Sequence, residues 1–400
     1  MTPGQGPIPI AVLSLVDQAR NLHDAYLEDL RTLVDIDCGT FIPDGVNQVA
    51  DFMHKRFEDG GWAVERRSHA PKPGDQRLGD VVVGRMAGHG PGPRILLVGH
   101  MDTVFPEGTA KVRPFHIEGT RALGPGVSDM KGGLLAGLYA VSCLGPSDFE
   151  SVTYVCNPDE EIGSPFSGPT ILEFASQADA CLVLEGAREN GDIVSARKGV
   201  TDLQFVIHGR AAHAGVEPER GRSATLQAAH TTIALQSLNG RWPGVTVNVG
   251  LIQGGIRPNV VAERCELRVD VRAPTSATLR EAMAEVERIA GATVVPDTTI
   301  ELTATAGFPP MEKTEATARL VGLAKAIAAE IGFEVDDAAT GGASDANPVA
   351  NMGVPTLDGL GPIGGADHSP DEWLDLDSVV PRMALLAGLI ASAPYGEGGS

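Results

Sequence analysis

Tyr154-Val155-Cys156-Asn157-Pro158-Asp159-Glu160-Glu161-Ile162-Gly163-Ser164 is the stretch on which the reading of this chain turns. Ser151 to Cys156 is rich in β-branched and aromatic residues and short enough for a strand, and Asn157-Pro158 stops it before three acids in a row. The acids therefore stand at the carboxyl end of a strand, where open α/β sheets place their ligands. Adjacent carboxylates repel one another unless a cation or a bound proton relieves them. Alone, such a stretch reads as a solvated acidic turn. The rest of the chain argues against that.

Upstream, Arg94 to Val98 is a nearly continuous apolar run that ends in Gly99-His100-Met101-Asp102-Thr103, so a buried strand delivers a His and an Asp to its exit. Gly124 to Gly133 is Gly-rich and runs into an apolar helical segment, Leu134 to Leu144, with Asp129 just before it. Downstream, Ala180 to Leu184 ends in Glu185, and Gly364 to Pro370 carries His368 ahead of a closing helix near Ser378 to Ala391. His100, Asp102, Asp129, Glu160, Glu161, Glu185 and His368 thus all fall at or just after a predicted strand end or helix start. Singly, each is an ordinary loop or cap residue. Together they set two imidazoles and several carboxylates on one rim of one sheet. A His/carboxylate set without cysteine suits Zn²⁺, or Co²⁺ or Mn²⁺, and fits Mg²⁺ or Ca²⁺ poorly. A single tetrahedral ion does not use so many ligands, whereas two ions can share a bridging carboxylate and leave a surplus acid for proton transfer. Asp102, two residues after His100, is spaced to orient that imidazole.

Helical spacing marks Leu13 to Val34 and Val46 to Phe57, and short strands follow near Trp62 to Arg67 and Asp80 to Arg85. From about Lys198 to Thr305 the pattern becomes strand (Thr201 to His208), helix (Ser223 to Leu238), strand (Val245 to Ile252), strand (Val260 to Arg272), helix (Ala277 to Ala290) and strand (Thr298 to Thr303). That is the β-α-β-β-α-β order of a ferredoxin-like domain. The earlier pattern then resumes with a helix from about Glu312 to Ile331 and a strand from Val354 to Leu360. The expected fold is α/β: a catalytic metal-binding domain of residues 1–197 and 306–400 with a mixed central sheet flanked by helices, and an inserted domain of residues 198–305.

The 400 residues, 42% of them hydrophobic, suit an ordinary globular protein, and Lys+Arg at 31 against Asp+Glu at 52 argues against nucleic acid or an anionic membrane as partner. The apolar run Ile8 to Val16 follows a Pro/Gly-rich start with no basic residue before it and no cleavage pattern after it, so no secretory signal is expected, and no run reaches transmembrane length. Cys38, Cys143, Cys156, Cys181 and Cys265 form no CxxC pair and mostly lie in apolar segments, as buried thiols of a reducing, cytoplasmic protein do.

His100-Met101-Asp102-Thr103, Gly126-Val127-Ser128-Asp129-Met130-Lys131-Gly132-Gly133, Pro158 to Ser164 and His368-Ser369 resemble the metal motifs of the co-catalytic zinc metallopeptidases, the family of glutamate carboxypeptidase, acetylornithine deacetylase, succinyl-diaminopimelate desuccinylase and the aminoacylases. The resemblance covers nearly the whole chain. It implies two zinc ions bridged by Asp129, with His100 and Glu185 on one and Glu161 and His368 on the other. Glu160 is then the general base for a zinc-held hydroxide that attacks an amide carbonyl, and Asp102 holds His100. Where the family often has a second acid after the bridging Asp, this chain has Met130, which is not a ligand. The family often has a cis peptide there, a geometry that sequence alone does not predict.

The same resemblance gives His213, in Arg210 to Gly215, the task of polarising the scissile carbonyl, often from a partner subunit, and implies a homodimer through the inserted domain. Lys198, Asn259 and Arg272 match positions that hold a small-molecule substrate's free carboxylate. Arg197, Lys198 and Thr340 to Asp345 draw the likeness toward glutamate carboxypeptidase, with N-acyl amino acid deacylases the alternative and a non-catalytic metal-binding scaffold a further one.

Overall fold

In the computed structural model, which describes residues 10–396, the Arg94–His100 and Ser151–Asn157 strands run parallel with His100 opposite Asn157. The Pro/Gly-rich start and the first two residues of the Ile8 to Val16 run lie outside the described residues. Contacts divide the chain into two compact units: one of Met1–Ser195, Lys313–Ala339 and Ser344–Ser400, the other of Ala196–Glu312 and Thr340–Ala343.

The first unit is built on a mixed six-stranded sheet in the order Ala63–Arg67, Val81–Ala87, Ser151–Asn157, Arg94–His100, Ala180–Val183, Thr356–Leu357. Its last four strands are mutually parallel and the first two pair antiparallel. Helices Val12–Val34, Gly132–Ser142, Glu315–Ile331 and Leu376–Ser392 pack into one apolar core with the sheet. Gly132–Ser142 is apolar on every side, and all but its last residue are buried, as such a composition demands.

Gly133 sets how near that helix can come to the sheet. A β-carbon there would lie 1.8 Å from the main-chain oxygen of Leu184. The helix that follows Asp129 is therefore seated directly on the strand exit that leads to Glu185.

The expected strand from Val354 to Leu360 is reduced to Thr356–Leu357. Gly359 turns the chain left-handed (φ 64°), and the Asp358 main chain bonds to Val194 instead of extending the sheet. A small second sheet joins Gly364–Gly365, Trp373–Asp375, Arg121–Leu123 and His116–Glu118 in that order, with strands too short to leave a periodic signal. Gly364 faces Leu374 and Gly365 faces Trp373, so His368 rides on the loop of a hairpin.

The second unit has the expected ferredoxin-like order. An antiparallel sheet runs Thr246–Gly254, Arg264–Ala273, Gly199–His208, Thr299–Phe308, with helices Ala224–Gln236 and Ser276–Ala290. Every second residue of Arg264–Ala273 is buried, and Leu203, Phe205, Ile207, Leu267 and Val269 form the core on that face.

Gly133→Ala is expected to destabilise the protein by about 1–3 kcal/mol, because a main-chain oxygen has no rotamer by which to give way. Chemical denaturation followed by tryptophan fluorescence checks this. A midpoint equal to the parent's would mean that the helix can lift off the strand without cost.

Candidate metal centre

Three parallel strands end on the same rim. His100 is the last residue of one, Glu160 and Glu161 follow Asn157 at the end of the next, and Glu185 follows Val183 at the end of the third. His100 Nδ1 donates to the main-chain oxygen of Asp102 at 2.9 Å, a carbonyl that can only accept, so Nε2 is turned to the acids. It lies 2.9 Å from Asp129 Oδ1 and 3.7 Å from Glu185 Oε1. His368 Nε2 lies 3.0 Å from Asp129 Oδ2 and 3.2 Å from Glu161 Oε2. Each oxygen of Asp129 thus faces a different imidazole, and the Asp129–Met130 peptide is cis. Ligand atoms of His100, Glu160 and Glu185 lie within 4.8 Å of one another, as do those of His100, Asp129 and Glu161.

This corner stabilises positive charge. Hydrogen bonds to Asp129 and Glu161 push the His368 imidazole up to about 11. Burial pulls His100 down, but Glu185, Asp102 and Asp129 together hold it well above the usual imidazole range. Burial pushes Asp129 up, and the two imidazoles overcome it and hold the carboxylate below its usual range. Burial, then the charge of Glu185, raises Glu160 well above the ordinary carboxyl range. Burial raises Glu161 against the pull of His368, and its Oε1 is buried without a hydrogen-bond partner. That orphaned oxygen and the all-N/O donor set fit a divalent metal of the zinc type.

Of the three consecutive acids, only Glu160 and Glu161 face the centre. Asp159 is fully buried and points back, accepting from the Phe166 amide at 2.7 Å and the Ser167 hydroxyl at 2.5 Å. Asp102 orients His100 through its main chain more closely than through its carboxylate, whose Oδ1 is 3.4 Å from Nδ1. The carboxylate instead accepts from the amides of Glu160 and Glu161 at 3.2 and 3.3 Å and from Thr40 Oγ1 at 2.6 Å, which fixes the turn between two ligand groups.

Two supporting acids had escaped the sequence reading. Asp345 accepts from Asn157 Nδ2 at 2.8 Å and Ser164 Oγ at 2.5 Å, clamping both ends of the segment that bears Glu160 and Glu161. Glu372 binds three amides of the Asp129 loop. The sole sequence clue to either was an acid near a motif.

The remaining predicted residues lie in the second unit, as two pairs. His213 bridges to Val260, and the Ala214 amide donates to the Asn259 oxygen, beyond the end of the sheet where His208 faces Arg264. Lys198 and Arg272 lie at the other end, where Arg272 faces Val200. Asn259 and Arg272 flank one strand as expected, but its run from Arg264 to Arg272 alone spans roughly 26 Å, so the three do not form a single donor cluster in this chain. Arg272 is held by Asp270 at 3.0 Å and by the Gly341 oxygen at 2.8 Å.

Beside Glu161, in the first unit, a groove of about 440 Å³ is walled by the exposed side chains of Phe41, Val104 and Ile162, together with Phe105 and Glu107. Among the described residues no Lys, Arg or His lines it, although the Arg113 guanidinium lies over the Phe105 ring.

Comparison with known proteins identifies the family of the chain. The profile of peptidase family M20/M25/M40 matches residues 96–392. Carboxypeptidase G2 of Pseudomonas sp. (strain RS-16) is 30% identical over 96% of this chain and 92% of its own length. N-acetyl-L-citrulline deacetylase of Xanthomonas campestris pv. campestris is 29% identical over 63% of this chain and 67% of its own. The crystal structure of the aminopeptidase PepT from Bacillus cereus superposes with a TM-score of 0.73 at 22% identity, covering 93% of this chain and 98% of that one.

Asp129→Ala is expected to lose metal from both positions and Glu185→Ala from one. Elemental analysis after dialysis against zinc measures this. Full occupancy in Asp129→Ala would rule out a bridging carboxylate at this position.

Proposed function

The chain belongs to peptidase family M20/M25/M40 and is a metal-dependent hydrolase, and on that premise we propose that it cleaves an amide bond next to a free carboxylate, as a glutamate carboxypeptidase does, with two zinc ions. The observation that carries the reading is the placement of Asp129 with one oxygen toward His100 and the other toward His368. His100, Asp129, Glu161, Glu185 and His368 would hold the ions, which would supply Lewis acidity toward the carbonyl oxygen and a lowered pKa for water. Glu160 takes the proton from the attacking water and returns it to the leaving amine. The Asp102 carboxylate keeps Glu160 and Glu161 in register by accepting both amides. The Arg272 guanidinium, held in orientation by Asp270, binds the substrate's carboxylate together with Lys198.

The alternative, an N-acyl amino acid deacylase, uses the same machinery on a different acyl group. The groove beside Glu161 favours the carboxypeptidase reading. Its walls are largely apolar, which suits the other side of the scissile bond, and an acetyl group would leave Phe41, Val104 and Ile162 wet. A non-catalytic scaffold would have no need of Glu160.

A homodimer through the second unit fits the same reading. Thr246–Gly254 is an edge strand with Leu251 and Ile252 exposed, and helix Ala224–Gln236 exposes Leu226 and Ile233 two turns apart. A second copy on that face also explains why His213 and Asn259 stand so far from Lys198 and Arg272: each pair serves a different active site. The five free, buried cysteines suit a reducing, cytoplasmic compartment, and no helix among the described residues is long and apolar enough to cross a membrane.

The test is hydrolysis of aroyl-glutamates, N-acyl-glutamates, dipeptides, N-acetylornithine and succinyl-diaminopimelate by the zinc-loaded protein. Glu160→Gln is expected to lower kcat by about 10²–10⁴ with metal retained. Arg272→Ala is expected mainly to raise KM, by about 10- to 100-fold for the loss of roughly 1.5–3 kcal/mol of charge-assisted hydrogen bonding. Equal damage to kcat from both would refute this division of roles. Mixing His213→Ala with Glu160→Gln is expected to restore part of the activity through hybrid dimers, and a mixture no more active than its components would place His213 outside a shared site.

A further inference from the structure

The chain approaches Asp129 through Gly126, whose backbone is left-handed (φ 73°), and at three successive points its amides turn toward one side chain from far along the sequence. Glu372 Oε2 accepts from the Gly126 amide at 2.9 Å, and Oε1 accepts from Ser128 at 2.8 Å and Asp129 at 3.0 Å. Glu372 is 1% exposed, and no step of the hydrolysis described above uses it. It stands at the foot of the hairpin loop that carries His368, directly before the Trp373–Asp375 strand. One carboxylate therefore ties the loop bearing His368 to the loop bearing Asp129.

These two segments do not need Glu372 to stay together. Trp373 and Leu374 already pair with Leu123 and Ala122, and Lys131 Nζ holds the far side of the turn through the oxygens of Ile36 and Pro125. What Glu372 adds is the orientation of the last peptides before Asp129, including the amide of Asp129 itself. A carboxylate suits this task because both oxygens accept, whereas an amide of the same shape would turn an N–H₂ group toward at least one of the three donors.

We propose that Glu372 is a positioning residue that fixes Asp129 and His368 relative to one another and thereby sets the affinity of the centre for its metal pair. The proposal rests on the reading that Asp129 touches both ions. Partners that orient a ligand in this way typically contribute 10- to 100-fold in metal affinity.

The experiment compares metal-free parent and Glu372→Gln proteins. Zinc affinity and stoichiometry are read by competition with a chromogenic chelator, and thermal unfolding of both metal-free proteins is recorded alongside. The expected result is about 10- to 100-fold weaker zinc binding in the variant, a metal-free Tm close to the parent's, and a kcat that recovers as free zinc is raised while KM stays constant. Parent-like zinc affinity overturns the proposal. It does so whether or not the metal-free Tm falls, since a fall in Tm alone assigns Glu372 a purely structural role. If Glu372→Gln does not fold, Glu372→Asp takes its place: it keeps the charge but, one methylene shorter, cannot reach all three amides, and undiminished zinc affinity in it is equally decisive against the proposal. A parent protein that binds no zinc overturns the reading of the metal centre and the proposal with it, an outcome that the two-protein comparison separates from the others.

Discussion

Mutual repulsion among carboxylates gathered at one sheltered rim is the constraint that shapes this protein. Asp129, Glu160, Glu161 and Glu185 converge with only two imidazoles between them, and burial raises the cost of every uncompensated charge. The fold meets that cost from behind. Asp102, Asp345 and Glu372 each take amides, hydroxyls or side-chain N–H groups of the loops that carry the ligands, so those loops cannot splay to separate the charges. Within that rim each oxygen of Asp129 faces a different imidazole, His100 or His368.

His100, Glu160, Glu161 and Glu185 could be placed on one rim from the sequence because each sits where a strand stops, and Asp129 because it precedes an apolar helix. An apolar run that ends in an acid or a histidine can be read without coordinates, and the β-α-β-β-α-β order of the second unit needs only periodicity and turn residues. The supporting acids could not be read. Asp159 shares a run with Glu160 and Glu161, yet it turns inward to Ser167, a choice made by the backbone after Pro158 rather than by residue type. Glu372 lies in a polar loop and acts on residues some 245 positions earlier, a distance over which local pattern carries no information. The role of Asp102 was legible only in part: its spacing from His100 pointed to an orienting contact, but the closer contact is a main-chain oxygen, which any residue could supply.

The donors of the second unit show the opposite difficulty. Residue type and motif named Lys198, Asn259 and Arg272 together, and the places of Asn259 and Arg272 about one strand were foreseen, but a ten-residue strand carries its two flanks apart. Strand direction is a long-range property of the sheet. Residues that a motif groups together therefore need not be neighbours in the folded chain.

The interrupted first unit also has a consequence for the order in which the protein is made. His100, Asp129, Glu160, Glu161 and Glu185 all precede Ser195, whereas His368 and Glu372 come after the entire Ala196–Glu312 segment. On the ribosome the ferredoxin-like unit can close as soon as it has emerged, while the acidic rim waits for its last histidine and for the edge strand Thr356–Leu357. A half-built, strongly anionic surface with an open sheet edge is thus an obligatory stage of biosynthesis, during which the nascent chain is exposed to adventitious cations and to other strands.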